Sequence, residues 1–464
     1  MKKWVQTLLL SLMILVTAGC SQGKEPKMTD TFSPIIDNNG ADPWIWQEED
    51  NYYYTKTTGN NLTLWRSEDL TGVAVGEKKT VWEMPPEFGS VWAPELHRID
   101  GTWYIYFAAN HPDETHRMYA VANENADPFD GEWTLFPIEG MDDKFAIDGT
   151  ILEIPASGGK RYFIWSGWEV DRNVAQNLYI AEMVSPTEIK PQKIMLSQPE
   201  LEWETRQTPL INEGPQVIIK DGMINLLYSA SGSWDNDYCL GLLTAPVTGE
   251  LLDPQTWTKH SQPILTQGNG VYGPGHNGFA KSKDGQEDWL IFHAARFDHS
   301  GWDRSIRLQK FGWHEDGTPD LGGVPLTSSA QQKLPGGEKE RYVFAAAAGK
   351  TEGTFEKTMD NQLGREVLQG FEDNEDRLIF TPQVPAGSYT VSLQLKPVTV
   401  ADPQDIPNLI LEIGAESWTL PVYPSEYYQP IQVQTQLEKD DQIIISSELG
   451  IAGWRIDRLE LVGK

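Results

Sequence analysis

Between residues 51 and 323 the chain alternates short aromatic and β-branched runs with Gly, Asp and Asn turns. The runs are Tyr52-Tyr53-Tyr54-Thr55, Trp103-Tyr104-Ile105-Tyr106-Phe107, Arg161-Tyr162-Phe163-Ile164-Trp165, Ile224-Asn225-Leu226-Leu227-Tyr228 and Trp289-Leu290-Ile291-Phe292-His293. All but the first follow a turn signal such as Asp100-Gly101, Gly158-Gly159, Asp221-Gly222 or Asp284-Gly285, the punctuation expected between antiparallel strands. A second run usually follows the first, as in Leu62-Thr63-Leu64-Trp65 and Met118-Tyr119-Ala120-Val121, so each unit holds at least three strands. No long stretch carries the 3.6-residue period of an amphipathic helix. The pattern predicts an all-β chain.

Shortly before each run stands an acid or a histidine among small or aromatic neighbours: Asp42, Glu95, Asp148, Glu213 and His276. Successive positions are 53, 53, 65 and 63 residues apart. A recurrence slightly longer than the roughly 40 to 50 residues of familiar blades predicts a five-bladed β-propeller, each inner strand starting at one of these positions. Inner strands line a central channel, so the five side chains are expected to converge there.

The pattern changes toward the C-terminus. Residues 326–340 are rich in Ser, Gln, Gly and Lys and read as a linker after a propeller spanning 33–325. Beyond it, Tyr389-Thr390-Val391-Ser392-Leu393 and Ile431-Gln432-Val433-Gln434 alternate like half-buried strands, which predicts a β-sandwich over 341–464. At the other end, Lys2 and Lys3, the apolar run from Leu8 to Val16 and the small pair Ala18-Gly19 read as a removable signal peptide over 1–19. Cys20-Ser21 reads as a lipoprotein cleavage box with Thr17 as an irregular element; residues 20–32 then form a polar tether, and membrane contact is expected only through a lipid on Cys20. Simple secretion is the alternative.

Charge narrows the partners. The formal net charge of −30 repels nucleic acid and other polyanions and favours a neutral ligand. The 18 Trp, 16 Tyr and 15 Phe supply flat rings that suit sugar faces, although most belong to the core. Cys239 is the only cysteine besides Cys20, so there is no disulfide framework.

Asp42, Asp148 and Glu213 together suit glycoside hydrolysis with inversion. That reaction needs one carboxylate to activate water and one protonated carboxyl on the other side of the bond, about 6.5 to 9.5 Å apart; a third acid nearby raises the pKa of the proton donor. Each residue taken alone also suits a turn or a solvated loop, and the shared spacing is what favours chemistry. Glu95 reads better as a structural acid. His276, between glycines that allow close backbone approach, suits a channel ion, a substrate hydroxyl or a core hydrogen bond. Arg296 and Arg307 are candidate donors to sugar or carboxylate, with surface pairing as the alternative. Trp92 is a candidate stacking platform, as are Trp44, Trp168 and Trp234. Asp235-Asn236-Asp237 reads as a loop and not a calcium site.

These motifs, in this order, resemble glycoside hydrolase family 43: Ala41-Asp42-Pro43, Trp92-Ala93-Pro94-Glu95, Asp148-Gly149, Glu213-Gly214-Pro215, Gly275-His276-Asn277-Gly278 and the closing Trp313-His314-Glu315-Asp316-Gly317. The resemblance implies a five-bladed propeller and inversion, with Asp42 as general base, Glu213 as general acid and Asp148 tuning the acid. It also implies that no cofactor is needed for chemistry, with a calcium or similar structural ion near His276. Its substrates would be α-L-arabinofuranosides, arabinan or β-D-xylosides, and the motifs do not separate them. The sandwich resembles a family 6 or related carbohydrate-binding module, but the usual acidic opening strand is missing. Tyr423, Tyr427, Tyr428 and Trp454 are the aromatics available to it, and a purely structural sandwich is the alternative.

The expectation is therefore an exported, lipid-anchored, inverting exo-glycosidase that releases α-L-arabinofuranosyl groups from arabinan or arabinoxylan. A β-D-xylosidase or an endo-1,5-α-L-arabinanase is the nearest alternative. A non-catalytic glycan-binding surface lipoprotein is the alternative of another class, disfavoured because neutral sugars do not require three mutually repelling acids.

Overall fold

The computed structural model describes residues 27–464 apart from 113, 156–157, 399–405 and 449–452. The expected signal peptide and Cys20 lie outside the described residues. The described chain is almost entirely β, with only short 3-10 turns between strands.

Four-stranded antiparallel units follow one another. The first comprises Trp44–Glu48, Asn51–Thr55, Asn61–Ser67 and Glu77–Glu83, and the second Gly89–Ile99, Thr102–Asn110, Arg117–Asn123 and Thr134–Pro137. The third holds Ala146–Ile154, Lys160–Gly167, Ala175–Ser185 and Glu188–Ser197, and the fourth Leu210–Lys220, Met223–Ala230, Cys239–Pro246 and Thr258–Lys259. A brief parallel pairing of Ala175 and Gln176 with Leu210 and Ile211 joins these two. The fifth holds Gly275–Lys281, Asp288–Ala295, Arg304–Trp313 and Pro319–Asp320, and Ile35–Asp37 pairs with its third strand.

The first strands of these units touch in sequence, and Gly275–Lys281 returns to touch Trp44–Glu48, so the ring closes. The apolar clusters follow the same circuit. Leu62 and Leu64 of the first unit pack with Ile105 and Phe107 of the second, and Tyr54 and Trp65 of the first pack with Trp289 and Ile291 of the fifth. Side chains alternate along a strand, so Leu226 enters the core shared with the third unit while Leu227 enters the core shared with the fifth. Burial on both faces is why these strands read as near-continuous apolar runs.

The C-terminal region is two packed sheets. One carries Arg341–Ala345, Phe355–Asp360, Arg365–Gly370, Gly387–Pro397, Gln429–Leu437 and Trp454–Gly463; the other carries Lys350–Glu352, Arg377–Phe380, Asn408–Ile413, Glu416–Pro421 and Ile443–Ser447. Val391, Leu393, Leu411, Ile445, Trp454 and Leu459 fill the space between them.

The structure differs from the sequence reading at both expected connectors. Lys27–Thr29 pairs with Arg341–Ala345 and so belongs to the sandwich, while Thr31–Phe32 pairs with Gln332–Lys333. The tether and linker readings miss these strands because two or three residues hold no readable period and their partners lie about 300 positions away in the chain.

Candidate active site

In or just before each inner strand the backbone enters the left-handed region, in the second unit at two points, where Ser90 at 43° joins Ala93. The residues, one from each unit, are Asp42, Ala93, Asp148, Gly214 and His276, with φ of 55°, 45°, 56°, 54° and 45°. In the last four units strand pairing slips at these points, between Trp92 and Glu95, Ile147 and Thr150, Glu213 and Gln216, and Gly275 and Gly278, with a further slip between Gly89 and Trp92. A bulge of this kind re-aims side chains, and strained positive φ at non-glycine residues collects at functional sites. The structural repeat therefore runs through Ala93 and Gly214, not Glu95 and Glu213. Glu213 precedes its bulge by one residue and Glu95 follows its bulge by two, so the two acids are aimed differently.

Asp42 is the most connected of the carboxylates. Its Oδ2 accepts a 2.6 Å hydrogen bond from Thr57 Oγ1, which itself accepts one of 2.8 Å from the Ala93 amide. His276 Nδ1 lies 3.2 Å and His293 Nδ1 3.4 Å from Oδ1, with the Arg304 guanidinium at 3.9 Å. The Asp42 amide donates to His293 Nδ1 at 3.1 Å. Burial pushes the Asp42 carboxyl up, but His276, His293 and Arg304 outweigh it and hold the group well below the usual carboxylate range. Burial also lowers both imidazoles, His293 to about 3. Near neutral pH the charge facing Asp42 is thus that of Arg304, while His276 faces the carboxylate and His293, accepting the Asp42 amide, holds its backbone; both imidazoles add charge only as the medium turns acidic.

The other two acids are pushed the opposite way. Burial raises Glu213 to about 7, the Asp42 charge adds to this, and the Tyr238 hydroxyl and Arg304 work against it. Tyr238 donates to Glu213 Oε1 at 2.8 Å. Burial, followed by the charges of Glu213 and Asp42, raises Asp148 well above its ordinary value. Asp148 Oδ2 accepts the Gly214 amide at 2.9 Å, which ties it to the strand bearing Glu213. Glycine is required at 214, where a Cβ would sit 3.2 Å from the His276 ring at positive φ, and at 275, where it would meet the Tyr238 ring at 2.2 Å. These two glycines let the tyrosine and histidine close around the acids.

The remaining candidates divide. Glu95 is buried and bonded to His97 at 3.0 Å and to the Gln216 amide, which fits its structural reading. Trp92 stacks on His116 with ring centroids 3.6 Å apart, and it takes the place in the second inner strand that Glu213 takes in the fourth. Trp44 donates to Leu96 O, and Trp168 stacks on Phe145. Arg296 and Arg307 are not with the carboxylates. Arg296 pairs with Asp303 at 2.6 Å under the Tyr423 ring, and Arg307 is buried against Ser328 and Leu326 O, with burial lowering it to about 10. Arg304, three positions before Arg307, is the arginine at the site; residues an odd number apart on a strand point to opposite faces. Tyr423 and Tyr427 are engaged where sandwich meets propeller, Tyr428 bonds Asp360 and Trp454 is core. Asp235-Asn236-Asp237 is a loop, with Asp237 paired to Arg206.

An ion at His276 has no direct ligand set to meet it: among the described residues no three His, Cys, Asp or Glu come together in a metal-holding group. His276 Nδ1 is instead turned to Asp42.

Sequence matches extend this picture. The family model for glycosyl hydrolases family 43 matches residues 31–319. The chain is 36% identical over 341 residues to an extracellular exo-α-(1→5)-L-arabinofuranosidase of Streptomyces avermitilis, covering 69% of each chain. It is 34% identical over 362 residues to an α-L-arabinofuranosidase of Humicola insolens, covering 73% of this chain and 74% of that one. Among solved structures, an α-L-arabinofuranosidase from Lactobacillus brevis superposes with a TM-score of 0.60 at 35% identity, covering 64% of this chain and 98% of that one. An exo-β-1,3-galactanase from Phanerochaete chrysosporium, at 12% identity and a TM-score of 0.53, shares the fold across 94% of this chain and 100% of that one. The matched span contains the whole ring of inner strands with its strained carboxylates, and on that basis the chain belongs to glycosyl hydrolase family 43 and is a glycosidase.

Proposed function

We propose that this protein is an exported, inverting exo-α-L-arabinofuranosidase acting on arabinan or arabinoxylan side chains from a five-bladed propeller. The observation that carries the roles is the split among the buried acids: Asp42 is held ionised, while Glu213 is raised to about 7 and so keeps a proton into the neutral range. Two carboxyl groups whose environments push their pKa values apart make a base and an acid.

Water bound at Asp42 gives a proton to that carboxylate as its oxygen bonds to the anomeric carbon. The bond from that carbon to the departing oxygen breaks on the opposite side, and the oxygen takes the proton of Glu213. Asp148, fixed by the Gly214 amide and itself raised by burial and by the charges of Glu213 and Asp42, orients the strand that bears the acid, while burial and the Asp42 charge keep Glu213 protonated. Thr57, His276 and His293 hold the base, and no step runs through a metal. The arabinofuranosidase names of the relatives support the substrate, and the extracellular relatives together with Lys2, Lys3 and the apolar run Leu8 to Val16 support export. Cys20 after Gly19 is the proposed lipid attachment site.

The test is hydrolysis of aryl α-L-arabinofuranoside and aryl β-D-xylopyranoside side by side, with linear arabinan. Preference for the arabinoside, single arabinose from the polymer and an inverted anomer in early NMR spectra are expected. Preference for the xyloside, oligomeric products, or retention would each overturn the corresponding part of the reading.

A further inference from the structure

Trp302 is the most exposed large hydrophobic side chain among the described residues, at 69%. A lone exposed apolar residue needs no explanation, but this one is mounted. Its indole Nε1 donates to Ser233 Oγ at 3.3 Å, and its ring meets the edge of Trp234 with centroids 6.3 Å apart and planes at 80°. Trp234 in turn lies over Gly232, where a Cβ would be 2.7 Å from the indole.

The loop carrying Trp302 is braced from several directions. Ser300 Oγ donates to Asp303 O at 2.8 Å, Asn236 Nδ2 donates to Asp298 at 2.6 Å, and the Arg296 carbonyl accepts the Glu426 amide of the sandwich at 3.1 Å. An aromatic ring held in this way loses little freedom when a ligand stacks on it.

Its location connects to the chemistry through two side chains. The Ser233 carbonyl accepts Arg304 at 2.5 Å, and Arg304 approaches Asp42. The same loop, residues 231–238, ends in Tyr238, which bonds Glu213. Trp302 is thus an exposed ring joined through Ser233 and Arg304 to Asp42, and through the 231–238 loop to the buried Glu213. In an exo enzyme the sugar that is cleaved off occupies the buried end, so a ring in solvent meets what lies on the other side of the bond.

We propose that Trp302, backed by Trp234, is the platform on which the leaving-group-side sugar of a neutral arabino-oligosaccharide stacks, a specificity determinant that rests on the arabinofuranosidase reading above. Flat apolar rings against sugar C–H faces suit a ligand without charge, which the net charge of −30 also favours.

The test compares arabinotriose, which has sugars on the leaving side, with methyl α-L-arabinofuranoside, which has none. For Trp302→Ala the ratio of kcat/KM for arabinotriose to that for the methyl glycoside is expected to fall about tenfold, mostly through KM, and Trp302→Phe to restore most of it. An unchanged ratio in Trp302→Ala, or equal loss in the alanine and phenylalanine variants, would overturn the platform. If the unsubstituted protein hydrolyses neither arabinoside, the arabinofuranosidase reading fails and the platform fails with it; activity on the methyl glycoside with an unchanged ratio sinks the platform alone.

Discussion

The channel and the sandwich both bury acids beside arginines, yet they do so in opposite ways. In the sandwich, Asp457 receives Arg365 through two hydrogen bonds of 2.7 and 2.5 Å and is also bonded to Arg458, whose Nε donates to Glu460 at 2.6 Å. Asp360 draws on Lys396, Arg455, the Tyr428 hydroxyl and the amides of Gln362 and Leu363. In the channel, Asp148 has one backbone amide, Glu213 one tyrosine hydroxyl, and the single arginine stands 3.9 Å from Asp42. A buried acid met by several donors is held ionised, as Asp360 is in the sandwich and Asp42 in the channel. An acid left short of partners retains a proton at neutral pH and can give it away.

This contrast is broken most directly in the channel. Asp42→Asn and Glu213→Gln should each lower kcat by about 10³-fold or more, since each removes one partner of an acid and base pair. The thermal midpoint should stay level or rise for Glu213→Gln, because the change relieves repulsion among under-paired acids, and should fall for Asp42→Asn, which gives up a carboxylate whose partners hold it ionised. Turnover within tenfold of the unsubstituted enzyme would remove the residue from its role, and a large drop in midpoint for Glu213→Gln would make Glu213 a structural acid like those of the sandwich. The converse experiment is Asp457→Ala, which takes from buried Arg458 one of its two carboxylate partners and from Arg365 both bonds to Asp457. It should cost that region about 3 kcal/mol in denaturant unfolding while kcat/KM on an aryl arabinofuranoside changes by less than about twofold. Loss of activity at temperatures where the variant is folded would erase the distinction.

The contrast also explains what was readable in the chain. The β architecture showed because each strand is apolar on both faces between Asp-Gly turns, and Asp42, Asp148, Glu213 and His276 showed because small residues and prolines mark the bulges. The register did not. Ala93 and Gly214 adopt the positive φ, but an acid one or two positions away looked like the repeating element. Residues that hold the acids were invisible for a different reason. Thr57, Tyr238, His293 and Arg304 lie on second and third strands or their loops, where neighbours in space are distant in sequence and no motif surrounds them. Arg304 carries no sequence signal that Arg307 lacks, and only the face of the strand each occupies separates them.

Thr57 tests whether the partners of the base matter as much as its charge. Thr57→Val keeps the side-chain volume but removes the hydroxyl that donates to Asp42 and accepts from Ala93 across two neighbouring sheets. A fall in kcat of about tenfold is expected, with KM for aryl arabinofuranoside little changed, because a misaimed base loses transition-state and not ground-state contact. Thr57→Ser should recover most of the rate. Should valine and serine behave alike, packing and not the hydroxyl is what counts at this position.

The smallest effect concerns the acid. With Glu213 raised to about 7 and required in its protonated form, kcat/KM should be sustained below that pH and lost as pH rises through it, about tenfold per pH unit. The limb belongs to Glu213 and Asp148 titrating as a pair, since the charge of Glu213 raises Asp148. Tyr238 donates to Glu213 Oε1 and so favours the ionised form, which lowers the pKa that burial has raised. Removing the hydroxyl in Tyr238→Phe should therefore carry the limb to higher pH, by up to about one unit, whatever happens to the plateau rate. A limb that stays in place would mean that Tyr238 only fills space behind Gly275. A limb that moves down would mean that the hydroxyl holds the protonated acid, in which case Glu213 is kept ready by a bond to its neutral form and not by the shortage of partners that separates the channel from the sandwich.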